Sequence, residues 1–248
     1  MSIYRDYAHV YDASGQMAFS LKMIPYLKQL LEKHPVDGSV MLELACGTGT
    51  VAVSMAQAGW RVYGVDGSDE MLAESRQKAE GSSVQVIWSQ QDMRQVVLPE
   101  QVHLTTCLYD SMNYMLTDAD LLATFRSVFK ALRPNGLFLF DMNTAWVMSA
   151  LWDGEVYFND SDDLSVVMKS RYDRRRQRTT VVLTCFERVA DYYRKIVEEH
   201  VEQAYPPEHI ATLLTDVGFH MEAQYDCFSF REPTPTTFRI MFVARKPA

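Results

Sequence analysis

The sequence contains few cysteines, and their spacing is not typical of a metal site. The four thiols, Cys46, Cys107, Cys185 and Cys227, lie far apart, with neither a Cys-x-x-Cys pair nor a paired histidine spacing. Zinc centres use closely spaced ligands, so no metal site is predicted. The first three cysteines fall within or at the end of predicted strands, which suits the reduced thiols of a cytoplasmic protein.

Long hydrophobic runs are also missing. No apolar stretch approaches the length of a membrane span, and the N-terminus lacks the basic-then-apolar order of a signal peptide. We therefore expect a soluble cytoplasmic protein that does not act on membranes. No motif specifies the oligomeric state, and a monomer or a homodimer is expected.

Basic residues are fewer than acidic residues. Lys and Arg number 24 against 32 Asp and Glu, which gives a formal net charge of -8. Phosphate binding needs a basic face, so nucleic acid is disfavoured as a partner. The one basic run, Arg171 to Arg178, lies between two strand-like segments, where a solvated hairpin turn is favoured over a phosphate site.

What the chain does have is a glycine-rich stretch at residues 41–50. It begins as an apolar strand, breaks at Gly47 and Gly49, and resumes as an apolar-periodic helix. A strand, a tight glycine turn and a helix N-terminus together make a nucleotide cradle. Glycines adopt backbone angles closed to other residues and let a ligand approach the main chain. An ordinary turn is the alternative, and the spacing to Ala52 also fits a dinucleotide fingerprint.

Two acidic residues strengthen the hypothesis of a nucleotide site. Glu43 interrupts the apolar strand, where a carboxylate is costly unless it meets a partner. Asp66 ends the next apolar strand, roughly twenty residues further on, where an acidic side chain can accept hydrogen bonds from ribose hydroxyls.

The order of the predicted elements indicates an α/β protein. The 248 residues, 48% of them hydrophobic, suffice for one large domain with an insertion or for two small domains. Strands alternate with helices up to about residue 145, which predicts a mostly parallel sheet with helices on both faces. The third strand is predicted at Val84–Trp88 and the fifth at Leu137–Phe140, while Ser68 or Asp69 can cap the helix after Asp66 and Gly218 can stop the last helix. After about Trp152, successive strands without helices predict antiparallel hairpins. These strands are Glu155–Phe158, Leu164–Tyr172, Thr179–Arg188 and Tyr192–Tyr205.

The chain resembles the class I S-adenosylmethionine-dependent methyltransferases, within a subgroup of the Methyltransf_25 type that acts on small molecules, including amino sugars. Four motifs carry the resemblance and occur in the family's order. They are Glu43–Gly49, Gly64–Asp66, Gln91–Met93 and Leu132–Gly136. The resemblance implies a Rossmann-like seven-stranded sheet, in which five parallel strands are followed by a closing antiparallel hairpin, with helices on both faces.

The resemblance also implies a division into three parts. Residues 36–145 and 206–248 are expected to form the methyltransferase domain. Residues 146–205 are expected to form an inserted antiparallel β subdomain that covers the methyl acceptor. Residues 1–35 are expected to form an N-terminal segment and helix. The first fifteen residues are too polar to be core and too aromatic for a disordered tail, so they either cover a ligand or pack against the surface.

S-Adenosylmethionine, with S-adenosylhomocysteine as its product, is the cofactor that the resemblance implies. Asp66 would hold the ribose hydroxyls, Met71 would pack on adenine, and Asp92 with the Met93 amide would bind the adenine edge. Glu43 would brace the glycine turn or receive the ammonium group of the ligand. The implied cofactor-binding residues are Tyr11, Glu43, Ala45, Cys46, Gly47, Gly49, Asp66, Gly67, Met71, Asp92, Met93 and Leu108. The alternatives are that Asp66 forms a turn, that Met71 belongs to the core and that Asp92 caps a helix.

The catalytic candidates follow the fourth strand, because sheets of this kind keep their crevice at the carboxyl ends of the strands. Tyr109 is predicted to lie beside the methyl group, Asp110 to pair with an amine, and Asn113 to make a polar contact. Asp141 and Asn143 follow the fifth strand and could line the same opening. Loop polarity or helix capping is the alternative for each.

His200 is a further catalytic candidate in the insertion. Strand alternation places Glu198 and His200 on one face, and the insertion must fold back over the crevice. A solvated face is the alternative for this pair.

The predicted function is methyl transfer to a nitrogen or oxygen of a small-molecule acceptor. One alternative is a protein that binds S-adenosylmethionine or S-adenosylhomocysteine without turnover. A nicotinamide-dependent oxidoreductase is disfavoured, because Glu43 interrupts the glycine-turn strand and no second phosphate or nicotinamide site is apparent.

Overall fold

The computed structural model describes residues 3–248, which form two β-sheets and five α-helices. The strands are β1 (Val40–Leu44), β2 (Arg61–Asp66), β3 (Ile87–Gln90), β4 (Val102–Cys107), β5 (Leu132–Asn143), β6 (Val156–Asp160), β7 (Leu164–Asp173), β8 (Arg178–Val189), β9 (Tyr192–Gln203), β10 (His220–Asp226) and β11 (Arg239–Arg245). The helices are α1 (Met17–Lys33), α2 (Thr50–Gln57), α3 (Asp69–Gly81), α4 (Asp118–Ala131) and α5 (Pro207–Val217).

The large sheet has seven strands in the order β10-β11-β5-β4-β1-β2-β3. Strands β1 to β5 run parallel, whereas β11 is antiparallel to β5 and pairs antiparallel with β10 at the edge. The predicted sheet of five parallel strands with a closing antiparallel hairpin is therefore confirmed. The strand order reverses between β4 and β1, so a crevice opens at the carboxyl ends of these two strands.

Helices cover both faces of this sheet, as the alternation of elements predicts. Helices α1 and α2 bury their apolar stripes on one face, through residues such as Leu27 and Val51. Helices α4 and α5 pack on the other face, through residues such as Phe125 and Leu214. Among the helices of residues 3–248, none has the length and apolar character needed to cross a bilayer.

Two strand boundaries differ from the sequence-based expectation. The third strand was expected from Val84, but the Val84 amide bonds to the Ala79 carbonyl at 3.2 Å and closes the end of α3, so β3 starts at Ile87. The fifth strand starts at Leu132 rather than Leu137, because Leu132 already pairs with Val102 before the register shifts.

The second sheet is antiparallel, with the order β6-β7-β8-β9, and confirms the inserted β subdomain. The basic run, Arg171 to Arg178, contains the turn between β7 and β8, and its central arginines are exposed. The prediction of a solvated hairpin turn is therefore confirmed.

The N-terminal segment packs more deeply than its polarity suggested. Tyr7 and Val10 are buried against Leu183 and Cys185 on the inner face of the second sheet. The expectation that these residues are too polar to be core was wrong. Each tyrosine buries an apolar ring, and the Tyr7 hydroxyl finds its partner in Ser14.

Candidate functional site at the junction of the two sheets

A cavity of about 1210 Å³ lies at the carboxyl ends of β1, β2 and β4 and continues to the inner face of the second sheet. We call one part the turn end, which is lined by the residues that follow β1, β2 and β3. The lining residues of the turn end include Glu43, Ala45, Cys46, Gly47, Asp66, Gly67, Met71, Asp92 and Met93. We call the other part the sheet end, and its lining residues include Tyr4, Asp110, Tyr114, His200 and Glu202.

The glycine turn exposes main chain to the turn end. Ala45, Gly47 and Gly49 all have positive φ, at 50°, 53° and 73°. A Cβ added to Gly47 would meet nothing within 4 Å, so this position leaves the space beside the backbone open. A Cβ added to Gly49 would lie 2.6 Å from the Trp88 ring and 2.8 Å from Ser75. Gly49 therefore serves the packing of β3 and α3 and does not line the cavity.

Asp66 ties the end of β2 to the glycine turn. Its Oδ2 accepts a hydrogen bond from the Gly47 amide at 2.8 Å, and its Oδ1 accepts one from the Ser68 amide at 2.9 Å. Burial raises the pKa of Asp66, although the bonds from the amides oppose this shift. The carboxylate therefore faces the cavity in an orientation that two amides fix.

Glu43 is a buried acid with an unused oxygen. It is 4% exposed, lines the turn end, and its Oε2 has no hydrogen-bond partner among the described residues. Burial raises the pKa of Glu43 to about 8, against the effect of a bond from the Ala52 amide. A cationic donor from a ligand would satisfy this oxygen.

Asp92 lies at the outer rim of the turn end, beside an adjoining pocket of about 400 Å³. It caps the short helical turn Met93–Gln95 through the Arg94 amide and also pairs with the Arg94 side chain, whose Nε lies 2.9 Å from Oδ1. The bond from Arg94 lowers the pKa of Asp92. The structure thus realises the capping alternative, while Asp92 and Met93 still line the cavity.

The loop after β4 carries Tyr109 and Asp110, both at positive φ. Asp141 accepts hydrogen bonds from both of their amides, at 2.8 and 3.0 Å, which holds the loop in this conformation. The Tyr109 ring stacks on Phe19 with centroids 4.1 Å apart, and its hydroxyl donates to Gln16 Oε1 at 2.6 Å. Tyr109 therefore joins the loop to α1 and to the segment before it.

Arg239, at the start of β11, is a site residue that the sequence analysis missed. Its guanidinium pairs with Asp110 at 3.0 Å and with Asp141, and it lies 4.6 Å above the Phe19 ring. Burial disfavours its charge, but the two aspartates outweigh burial and raise the pKa of Arg239. Its one sequence signal is an arginine heading the apolar run Ile240–Ala244.

Asn113 does not line the cavity, contrary to the expected polar contact. Its Nδ2 donates to the Asn143 and Gln203 carbonyls, and its Oδ1 accepts from the Asn143 amide. The side chain is fully buried, so its amide group joins β5 to the end of β9. Asp141 and Asn143 likewise brace the loop after β4 and do not line the cavity.

His200 lies at the sheet end in a chain of hydrogen bonds. Its Nδ1 lies 3.1 Å from the Tyr114 hydroxyl, which in turn lies 2.8 Å from the Tyr4 hydroxyl. Its Nε2 lies 3.4 Å from Glu198 Oε2 but makes no hydrogen bond with a described residue. Both side chains are buried, so the solvated-face alternative for Glu198 and His200 was wrong.

Glu202 is the second site residue that the sequence analysis missed. It lies two residues beyond His200 on the same face of β9 and is 4% exposed. Burial raises the pKa of Glu202 well above the usual value, and the nearby Asp110 raises it further. Every second residue of a strand lies on the same face, so the pattern that groups Glu198 with His200 also includes Glu202.

Residues 4–16 are bound at both ends of the cavity. The amides of Tyr4, Arg5 and Tyr7 donate to the Glu198 carboxylate at 2.8, 3.1 and 3.2 Å. Further along, the Asp12 carboxylate accepts from Thr48 at 2.7 Å, beside the glycine turn, and pairs with Lys78 of α3 at 2.6 Å. The segment therefore both packs on the surface and covers the cavity.

The structure brings most of the predicted site residues together. Of the expected cofactor-binding residues, all but Gly49 line the cavity, and of the expected catalytic residues, all but Asn113 do so. Those that do, besides the turn-end residues named above, are Tyr11, Leu108, Tyr109, Asp110 and His200.

The central part of the chain matches a known family. Residues 41–136 match the family model described as a methyltransferase domain. This range runs from β1 to the early part of β5 and contains the glycine turn, Asp66 and Asp92.

Three known proteins resemble the whole chain. YqeM, a predicted methyltransferase of Bacillus subtilis, is 29% identical over 245 residues, which cover 98% of this chain and 97% of YqeM. An S-adenosylmethionine-dependent methyltransferase from Clostridium acetobutylicum superimposes with a TM-score of 0.88 at 24% identity and covers 100% of both chains. The sugar N-methyltransferase KedS8 from Streptoalloteichus gives a TM-score of 0.76 at 21% identity, over 100% of this chain and 97% of KedS8. At these identities the two solved structures establish the shared fold.

Proposed function

Because the chain belongs to the class I S-adenosylmethionine-dependent methyltransferases, we propose that it methylates a nitrogen or an oxygen of a small metabolite. The observation that carries this proposal is the continuous cavity of about 1210 Å³. Pockets for one small ligand usually measure about 300–1,000 Å³, so this cavity has room for a methyl donor and an acceptor together. KedS8, which shares the fold, is named for sugar N-methylation, and that is consistent with a small-molecule acceptor.

We place the donor at the turn end, where the residues fit its chemistry. The open space beside Gly47 admits a ligand against bare backbone, and Asp66 offers acceptors for ribose hydroxyls. The unused Oε2 of Glu43 offers a partner for an ammonium group. Met71, Asp92 and the remaining turn-end residues would hold the adenine side. When bound, S-adenosylmethionine supplies a methyl group on a positively charged sulfur, which departs as a neutral thioether.

We place the acceptor at the sheet end, beneath the insertion at residues 146–205. The leaving group is already activated, so the main task of the protein is to align an electron pair with the methyl carbon and to exclude water. Tyr109 and Asp110 follow the end of β4 and line the cavity, Asp110 at the sheet end. They are therefore placed to position the reacting atom of the acceptor.

An acceptor that carries a proton on its reacting atom also needs a base. We propose His200 for this role when the reacting atom is a hydroxyl oxygen, acting through the Tyr114 hydroxyl, which lies 3.1 Å from Nδ1. Glu198 Oε2 lies 3.4 Å from Nε2, on the other side of the His200 ring. In this arrangement Tyr114 touches the acceptor, and Glu198 acts as a positioning residue.

Calorimetry with S-adenosylmethionine and S-adenosylhomocysteine tests the donor site. Asp66→Ala removes the expected ribose contact and should weaken binding of both ligands by about tenfold or more, which corresponds to at least ~1.4 kcal/mol. Asp69→Ala removes an exposed carboxylate from the start of α3 and should leave affinity unchanged. Thermal unfolding of both variants checks that the fold persists. No heat from the wild-type protein at millimolar ligand would contradict the proposal.

Turnover separates an enzyme from a binding protein. Incubation with S-adenosylmethionine that carries a labelled methyl group, together with pooled small amines and alcohols, should move label into an acceptor. Binding of S-adenosylhomocysteine without label transfer to any small molecule would favour the alternative without turnover.

A further inference from the structure

Two buried carboxyl groups meet at the sheet end. Asn143 Nδ2 donates to Asp110 Oδ2 at 2.7 Å and to Glu202 Oε2 at 3.2 Å, so one amide nitrogen holds both acids. Asp110 is 8% exposed and Glu202 is 4% exposed, and both line the cavity. They come from the loop after β4 and from β9, so only the folded protein brings them together.

The positive charge near these acids is already engaged. Arg239 pairs with Asp110 at 3.0 Å and also with Asp141, so one cation serves two aspartates. No described Lys, Arg or His side chain forms an ion pair with Glu202, and His200, two residues away, faces Glu198 instead. Burial, and then Asp110, raise the pKa of Glu202 well above its usual value. The sheet end therefore holds an acid that forms no ion pair with a described residue, although the charge of Arg239 acts on it.

The surroundings of Glu202 contain polar atoms that lack partners. His200 is 5% exposed and lines the cavity, yet its Nε2 makes no hydrogen bond with a described residue. Thr179 lies opposite Glu202 in the β8–β9 register, is fully buried, and its Oγ1 has no partner either. Buried polar atoms in native proteins nearly always find a partner. Of these two groups His200 lines the cavity, so its free Nε2 indicates a polar ligand there.

Aromatic side chains form much of the wall of the sheet end. Tyr4 and Tyr114 are joined through their hydroxyls at 2.8 Å, and the Tyr4 ring lies 4.7 Å from the His200 ring. Tyr11 packs edge-on to Tyr4 with centroids 5.9 Å apart. Aromatic faces combined with carboxylates are the surroundings that proteins use to bind organic ammonium ions.

We propose, on the basis of the function proposed above, that the Asp110–Glu202 pair is the subsite for the reacting nitrogen and that the acceptor is a small-molecule amine that enters as an ammonium ion. An ammonium group supplies both the missing cation and several N–H donors. A neutral alcohol would supply hydrogen-bond donors only, and Glu202 would keep its proton.

The chemistry balances with these groups. Binding of the ammonium ion between the acids displaces the proton that Glu202 holds, and that proton passes to solvent. The ammonium nitrogen then gives one proton to the Glu202 carboxylate, so that an N–H bond breaks, an O–H bond forms and the nitrogen lone pair is freed. This lone pair forms the bond to the methyl carbon as the carbon–sulfur bond breaks and its electrons stay on sulfur. Glu202 is thus a catalytic residue that the substrate touches.

Two matched probes test this subsite without knowledge of the natural acceptor. Benzylammonium and benzyl alcohol share the same shape, and only the first is a cation. Calorimetry on protein saturated with S-adenosylhomocysteine should show that benzylammonium binds at least about tenfold more tightly than benzyl alcohol, a difference of ~1.4 kcal/mol. Titrations in buffers of different ionisation enthalpy should show a net release of protons on binding of benzylammonium.

Glu202→Gln tests the residue itself, with Glu199→Gln as the matched control. Glutamine imitates the neutral acid, so the fold should persist, which thermal unfolding checks. Glu199 is exposed and points to the opposite face of the same strand, so its replacement removes the same formal charge away from the cavity. Glu202→Gln should abolish the preference for benzylammonium and the proton release, and Glu199→Gln should preserve both.

Equal binding of the two probes by the wild-type protein, or equal behaviour of the two variants, would overturn the amine subsite. If S-adenosylhomocysteine binds normally in that experiment, only this inference fails, and an acceptor hydroxyl is then favoured. If S-adenosylhomocysteine itself does not bind, the proposed function fails and the inference falls with it.

Discussion

The turn end and the sheet end of the cavity are built in different ways. Most of the turn end comes from two short stretches, residues 43–51 and 66–71, and it presents main-chain atoms to the cavity. The sheet end collects side chains from the N-terminal segment, the loop after β4, β9 and β11. The turn end therefore depends on backbone conformation, whereas the sheet end depends on the balance of buried charges. Variants that disturb one property or the other should therefore act at one end only.

The largest effect is expected from Arg239→Ala at the sheet end. This change leaves Asp110 and Asp141 buried without their cation, and breaking a buried pair in this way typically costs about 3–5 kcal/mol. Urea denaturation should show that loss in the free energy of unfolding. Arg231→Ala, which breaks an exposed pair with Asp226, should cost less than about 1 kcal/mol. Similar losses from both variants would contradict the view that Arg239 balances the charge of the sheet end.

The next largest effect on stability is expected at Glu43, the buried acid of the turn end whose Oε2 has no hydrogen-bond partner among the described residues. The pKa of Glu43 is raised to about 8 in the folded protein, so the unfolded chain ionises this group first as pH rises. Its contribution to stability is therefore complete below about pH 4.5 and is lost progressively up to about pH 8. Between about pH 4 and pH 7 this linkage amounts to about 3 kcal/mol.

Glu43→Gln should remove that dependence. Unfolding free energies measured across this pH range should fall more steeply for the wild-type protein than for the variant. Parallel curves would show that Glu43 meets a cation in the free protein.

The two glycines of the turn should respond differently to substitution, and one of them gives the smallest effect on stability. Gly49→Ala places a Cβ against Trp88 and Ser75 at positive φ and should cost about 3 kcal/mol of stability. Gly47→Ala meets open space and should cost only about 1 kcal/mol, the penalty for the left-handed conformation. Calorimetry should nevertheless show weaker S-adenosylhomocysteine binding by Gly47→Ala, because the new Cβ occupies the ligand space. Unchanged affinity would mean that the ligand does not approach Gly47.

The fold could be predicted largely from local patterns. Apolar strands, helix caps such as Ser68 and stop signals such as Gly218 are short-range features, and the structure confirms them. The errors fall where pairing between strands decides the outcome. Leu132 joins β5 because Val102 lies beside it, and Tyr7 is buried because the second sheet folds over it.

Some residues of the candidate site could likewise be predicted from local motifs, whereas others depend on tertiary contacts. Glu43, Asp66 and the glycine turn belong to consecutive motifs, and the structure places them around one opening. Arg239 could not be found from its neighbours, because its partners lie 98 and 129 positions away in the sequence. Asn113 has the residue type and the position of a ligand contact, yet tertiary contacts use its amide group entirely. Residue type predicts chemical capacity, and only packing decides which groups stay available.

Residues 4–16 belong to neither end alone, since they hold Glu198 on one side and Thr48 with Lys78 on the other. This one segment therefore contacts both the turn end and the sheet end of the cavity. If a donor bound at the turn end strengthens acceptor binding through this segment, thermodynamic reciprocity requires the acceptor to strengthen donor binding by the same factor.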